Sequence, residues 1–146
     1  MPTHSLTSRW KGEYTYGEGF PIEIEGKSVP FLMELTFDGH IFQGTCVDEE
    51  SGHIFSRPAT INGIIDNNYV SFIKKYPCSF YFDEDGKTIV NPEIPSMPIH
   101  YTGTLRKRGL LFTFFFEGEW EVTIPIKYDN GETEYYTGLG TWTMKR

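Results

Sequence analysis

Cysteine is nearly absent from this chain, with only Cys46 and Cys78 present. Two thiols with no secretory leader ahead of them make no disulfide framework, and the spacing of a C-x-x-C metal or redox pair is missing. Both are expected as reduced, partly buried thiols. Positive charge is also in short supply: 13 Lys and Arg stand against 20 Asp and Glu, a net charge of -7. That balance offers no electrostatic footprint for a phosphate backbone or an anionic lipid surface, so no nucleic acid and no membrane is expected as a partner. No apolar run approaches the roughly 18 residues of a membrane-spanning helix. Residues 1–10, MPTHSLTSRW, lack the basic-then-apolar order of a signal peptide, and the expected location is cytoplasmic. Helix start and stop signals are missing throughout.

Aromatic residues (16%) and the fifteen glycines are plentiful, as in β-proteins with tight turns and large inward side chains. The organising stretch is Leu110 to Ile126. On one side of its two-residue period stand Leu110, Phe112, Phe114, Phe116, Gly118, Trp120, Val122, Ile124 and Ile126; on the other stand Thr113, Glu117, Glu119, Glu121 and Thr123. A long half-buried strand satisfies that pattern. Trp10, Tyr14 and Tyr16 alternate with charged neighbours in a first strand, and Phe20, Ile22 and Ile24 read as a short arm or a continuation of it past a bulge. Asp38-Gly39, Asp66-Asn67-Asn68, Asp83-Glu84-Asp85-Gly86 and Asp129-Asn130-Gly131 are turn signals between alternating runs. Asn91 to Pro98, with three prolines, reads as an extended crossing or lid. Tyr136, Gly138, Gly140, Trp142 and Met144 form the inner face of the last strand. The fold expected is all-β: a single antiparallel up-and-down β-barrel of about 8–10 strands, closed by pairing of the terminal strands, in one domain spanning residues 1–146.

Several short segments carry a family resemblance. The opening Trp10-Lys11-Gly12-Glu13-Tyr14 resembles the W-x-G-x-Y start of calycin-type barrels, the lipocalin, avidin and fatty-acid-binding group. Phe42-x-Gly44 with Asp48, Phe72-x-Lys74-Lys75-Tyr76, Tyr101-x-Gly103, Gly118-x-Trp120 and Gly138-x-Gly140-x-Trp142-x-Met144 fit the same picture. The resemblance implies a lipocalin/avidin-like barrel and small apolar ligands in general. The biotin-binding pattern of avidins cannot be traced residue by residue, so biotin does not carry over.

Glu117, Glu119 and Glu121 are the nearest thing to a catalytic signature, since same-face strand residues lie about 7 Å apart, within the spacing of an inverting glycosidase pair. They share the face opposite Phe114, Phe116 and Trp120, however, and are read as solvated. His4, His40, His53 and His100 show no metal-ligand spacing, and no nucleophile elbow, P-loop or dinucleotide fingerprint is present. No cofactor and no metal is expected, and an enzyme ranks behind the binding readings.

The informative set is the inward aromatics. Tyr14, Tyr16, Phe31, Phe72, Tyr101, Phe114, Trp120 and Trp142, with Lys74, are the candidates for a ligand site in the barrel interior. Such side chains either fill a narrow barrel or, in one of about ten strands, line a residual cavity. Each buried hydroxyl needs a partner. Lys74 shares the parity of Val70 and Phe72, so its ammonium is paired with an acid such as Asp48, available to an anionic ligand, or turned out of the barrel mouth. Two functions stand: a carrier or sensor of a small apolar or amphipathic ligand, and a non-catalytic protein-interaction or structural module with a filled interior. Either would be a monomer or homodimer.

Overall fold

The alternation of large apolar and polar residues builds the sheet directly. The structure, a computed structural model, describes residues 6–20, 22–50, 55, 57–82, 88–110, 113–127 and 130–146. Its strands are β1 (Leu6–Tyr16), β2 (Ser28–Asp38), β3 (Ile41–Asp48), β4 (Ala59–Asp66), β5 (Tyr69–Lys75), β6 (Ser79–Phe82), β7 (Thr88–Asn91), β8 (Ile99–Arg108), β9 (Thr113–Lys127) and β10 (Thr133–Lys145). Eight of them close an antiparallel barrel in the order β1-β10-β9-β8-β5-β4-β3-β2. The other two, β6 and β7, pair only with each other. The wall therefore has eight strands, with a separate hairpin inserted between β5 and β8. Pro77 ends β5, and residues 92–98, three of them proline, join no ladder because prolines cannot donate to one.

Closure comes from β1 and β10, with Tyr14 opposite Trp142 and Gly12 opposite Met144. Strand edges are thereby removed, which protects the sheet from pairing with other chains. The register is staggered: partners traced once around the wall from Tyr16, through Trp120, Phe72 and Phe42, arrive back on β1 at Leu6. Inward positions are packed with rings, and the strands approach closely where a side chain would not fit. A Cβ at Gly140 would lie 2.2 Å from the Trp120 ring, so only glycine lets that indole lie flat against the wall. Tight turns use Gly39 at φ 63° and Asn67 at φ 55°, a conformation that asparagine tolerates better than most residues.

Three inward assignments are corrected. Phe114 has the inner parity but is 48% exposed. The pairing of β9 with β10 ends at Phe115 and Lys145, so Phe114 lies beyond the barrel wall, with the Lys107 ammonium 5.7 Å from its ring. Leu110 sits in the β8–β9 turn and is exposed, and Tyr136 projects on the β9–β10 hairpin past the opposite rim. Phe112, His4, His53, Gly52, Asp129 and the turn at 83–86 lie outside the described residues, as do the side chains of Ile124 and Ile126.

The two ends of the barrel differ. Short turns β2–β3 and β4–β5 leave one end, where Trp10 packs on Phe116 at 5.3 Å and donates to Ser8 Oγ at 2.8 Å. The longer connections β1–β2, β3–β4 and β5–β8 leave the other, and the candidate site lies under them.

Candidate ligand-binding site

Parity brings one lysine and one aspartate into the interior. Lys74 on β5 and Asp48 at the end of β3 are almost wholly buried, with Nζ 3.0 Å from Asp48 Oδ2. Tyr76, two residues beyond Lys74 on the same side, donates its hydroxyl to the same carboxylate oxygen at 2.7 Å. The rings of Tyr14 and Tyr76 each lie 4.7 Å from the ammonium, so the charge is held between two π faces. A buried ion is tolerated only when compensated in this way. Burial opposes the charge on Lys74, but the acidic groups Cys46, Tyr101, Tyr14 and Asp48 outweigh it and hold the pKa well above the ordinary lysine value. At neutral pH Asp48 is the one among them that carries a negative charge.

The tyrosines around this pair keep their protons. Burial is the main cause of the upward shift of Tyr14, Tyr76 and Tyr101, with Tyr76 adding to that of Tyr14 and Asp48 to that of Tyr76. Tyr16 is raised first by burial and then by Glu50, to whose Oε1 it donates at 2.6 Å. The Lys27 ammonium lies 3.4 Å from the other Glu50 oxygen, closing a second compensated pair at the rim. Cys46 is also buried beside Lys74, and burial pushes its thiol up to about 11. Cys78 is likewise buried and free.

Above the ion pair is a void of about 20 Å³ bounded by Tyr14, Tyr16, Tyr76, Tyr101 and Trp120. That is room for about one water molecule. Its roof is Phe20, from the β1–β2 connection. The Phe20 ring meets Tyr16 edge-on at 4.8 Å and Trp120 at 5.5 Å, and a Cβ on Gly138 would come within 2.3 Å of it. Ile24 from the same connection is buried as well. Both ends of the connection are tied down, by Tyr16 N–H to Lys27 O at 2.9 Å and Leu139 N–H to Glu18 O at 2.8 Å.

Among the sequence candidates, Tyr14, Tyr16, Tyr101 and Trp120 converge on the void, with Lys74 beneath them. Phe31 stacks on Tyr14 at 6.3 Å and Phe72 on Tyr101 at 4.7 Å, supporting those rings from the wall. Trp142 sits deeper, against Phe72, and its Nε1–H is shared between the carbonyls of Thr102 and Glu119. Phe114 is outside. Sequence reasoning missed Tyr76, Phe20 and Glu50. Tyr76 was signalled by its parity with Lys74, whereas Phe20 and Glu50 lie in connections where no period applies.

A larger concavity, about 560 Å³, is elsewhere: an open dish on the outer wall lined by residues such as Thr102, Thr104, Glu117, Glu119 and Thr143. Glu117, Glu119 and Glu121 are all exposed, as their parity predicts. Exposed to solvent, none of the three is the desolvated carboxyl that acid–base chemistry uses.

No family model and no curated protein matches the chain. It is similar to two solved avidin-like barrels. Rhizavidin is 12% identical, with 93% of this chain and 82% of that one covered and a TM-score of 0.49. A short afifavidin in complex with biotin is 16% identical, with 92% and 87% covered and a TM-score of 0.46. Likeness at this level says nothing about the ligand of this chain.

Proposed function

We propose that this protein is a carrier or sensor that binds a small, mostly apolar or amphipathic ligand at the long-connection end of its barrel. The observation that carries this reading is the convergence of four tyrosines and Trp120 on one void, beside a buried ion pair and lined also by Phe20 and Phe80 from two connecting segments. A barrel needs bulk to fill its interior; it does not need hydroxyls there, because each buried hydroxyl demands a partner that an apolar ring would not. Ligand pockets have this composition, mostly apolar walls with a few convergent polar groups.

A second reading, an interaction module with a filled interior, draws on the small size of the void and on Ile41 and Ile64. These are register partners on the outer wall, 63% and 52% exposed. A thermal-shift screen of apolar and amphipathic molecules separates the two. A ligand at about 100 times its dissociation constant adds roughly 2.7 kcal/mol of stability. Hits weakened by Tyr14→Phe with Tyr101→Phe, and unchanged by Glu→Gln at 117, 119 and 121, support the interior site. The opposite pattern places binding on the outer wall and removes the carrier reading.

A further inference from the structure

The interior site described above also indicates the chemistry of its occupant, an inference that rests on the carrier reading. Phe20 behaves as a bound group rather than as part of the wall. It belongs to no strand, yet its ring is buried against Tyr16 and Trp120, over the bare backbone of Gly138. The seat is fitted to a six-membered ring, since a single methyl on residue 138 would collide with it. Next to that seat is the void of about 20 Å³, enough for one polar atom and not for a second ring.

Charge and hydrogen bonding narrow the class further. Both ion pairs near the void are internally compensated, Lys74 with Asp48 and Lys27 with Glu50. A charged ligand would have to leave its own counter-ion behind in water and find none here. Tyr76, which lines the void, donates its O–H to Asp48, so its hydroxyl oxygen is left as an acceptor. The Trp120 indole N–H is already committed to Thr141 O at 3.0 Å and offers only its ring face. A ligand entering this seat is met by apolar faces, by the Tyr14, Tyr16 and Tyr101 hydroxyls, and at Tyr76 by an acceptor oxygen.

We propose that the Phe20 seat is the ring subsite of the ligand, and that the ligand is a neutral planar ring carrying one O–H or N–H donor, of which phenol is the simplest example. Phe20 holds the seat in the ligand's absence. When the ligand enters, its donor points to Tyr76 and the 17–27 segment lifts away.

Phenol, benzene and benzoate are titrated into the wild-type protein and into Phe20→Ala, with binding followed by NMR of the Trp120 indole. Phenol should bind the wild type, with faster amide exchange over residues 17–27. It should bind Phe20→Ala at least about tenfold more tightly, because no plug has to be expelled. In Phe20→Ala it should also be preferred over benzene by about tenfold, the worth of one hydrogen bond in a dry pocket. Adding Tyr76→Phe should abolish that preference, and benzoate should not bind. If Phe20→Ala does not fold, Phe20→Leu takes its place.

Equal binding of phenol and benzene would reduce the seat to a featureless cavity and overturn the proposal. Tighter binding of benzoate would overturn the neutral-ligand argument. Failure of phenol to bind the wild type would make Phe20 a permanent part of the core. The two levels separate cleanly. If the amphipathic screen on the wild type finds hits and donor-bearing rings are not among them, this inference falls and the carrier reading stands; if nothing binds at all, both fall.

Discussion

Cutting one partner out of the Lys74–Asp48 pair is the most demanding test of the interior. Asp48→Leu leaves an ammonium that is 1% exposed with no counter-ion, and leaves the Tyr76 hydroxyl without the carboxylate it donates to. The two rings at 4.7 Å already face the ammonium before the substitution, so they add nothing that replaces the lost counter-ion. Breaking a buried pair from one side costs about 3 to 5 kcal/mol, a large part of the roughly 5 to 15 kcal/mol that holds a domain folded. Lys74→Met should cost a similar amount. The double variant replaces both charges by apolar groups and leaves neutral hydroxyls, Tyr76 among them, to be re-satisfied, so it should cost less than either single change. Urea denaturation of the four proteins, with matching slopes, gives the coupling energy, expected to exceed about 2 kcal/mol. If the double variant loses the sum of the two single losses, the charges are not compensating each other and the description of the site is wrong.

Trp142→Ala should cost about 3 to 5 kcal/mol, because the ring is 3% exposed in the closing strand; a change below about 1 kcal/mol would contradict its place in the core, and denaturant midpoints decide. Stability should fall at alkaline pH. Cys46, raised by burial to about 11 against an ordinary 9.0, keeps its proton in the fold after the unfolded chain has lost it. Its contribution is therefore complete below about pH 9 and is lost towards about pH 11, with the raised Tyr14, Tyr76, Tyr101 and Lys74 extending the loss upward. Urea midpoints at about pH 8 and about pH 10.5 should show the decrease; an increase would refute it. Gly138→Ala should push Phe20 from its seat and speed amide exchange over residues 17–27, while leaving the β2–β5 wall protected; unchanged exchange would show that Phe20 does not rest on Gly138.

The wall of the barrel was legible in the sequence because strand period, turn chemistry and burial all agree along it. Trp10, Tyr14, Tyr101, Trp120 and Trp142 point inward as their parity requires, and the Lys74 pairing with Asp48 is one of the three alternatives that parity left open. Period alone does not say where the wall stops, which is why Phe114 and Leu110 were placed inside; exposure there depends on the length of the neighbouring strands. The eight strands of the wall fall within the expected 8–10. The strands β6 and β7 pair with each other outside the barrel, with Pro77 before them and Pro92 after them. With eight strands the interior is narrower than a wall of ten would leave, so rings fill most of it. The plug at Phe20 and the acid at Glu50 come from connections, whose positions are set by tertiary packing and not by any local pattern.

The three tryptophans provide a built-in gauge along the barrel axis. Trp10 donates its indole N–H to Ser8 at the short-turn end, Trp142 to the carbonyls of Thr102 and Glu119 in the middle, and Trp120 to Thr141 beside the void. Proton–nitrogen correlation spectra of these indole groups, recorded while a hit from the amphipathic screen is titrated in, report where it binds. The predicted result is a large, saturable shift of Trp120, a smaller one at Trp142 and none at Trp10. Shifts confined to Trp10, or saturation of binding with all three resonances unmoved, would contradict a ligand site at the long-connection end of the barrel.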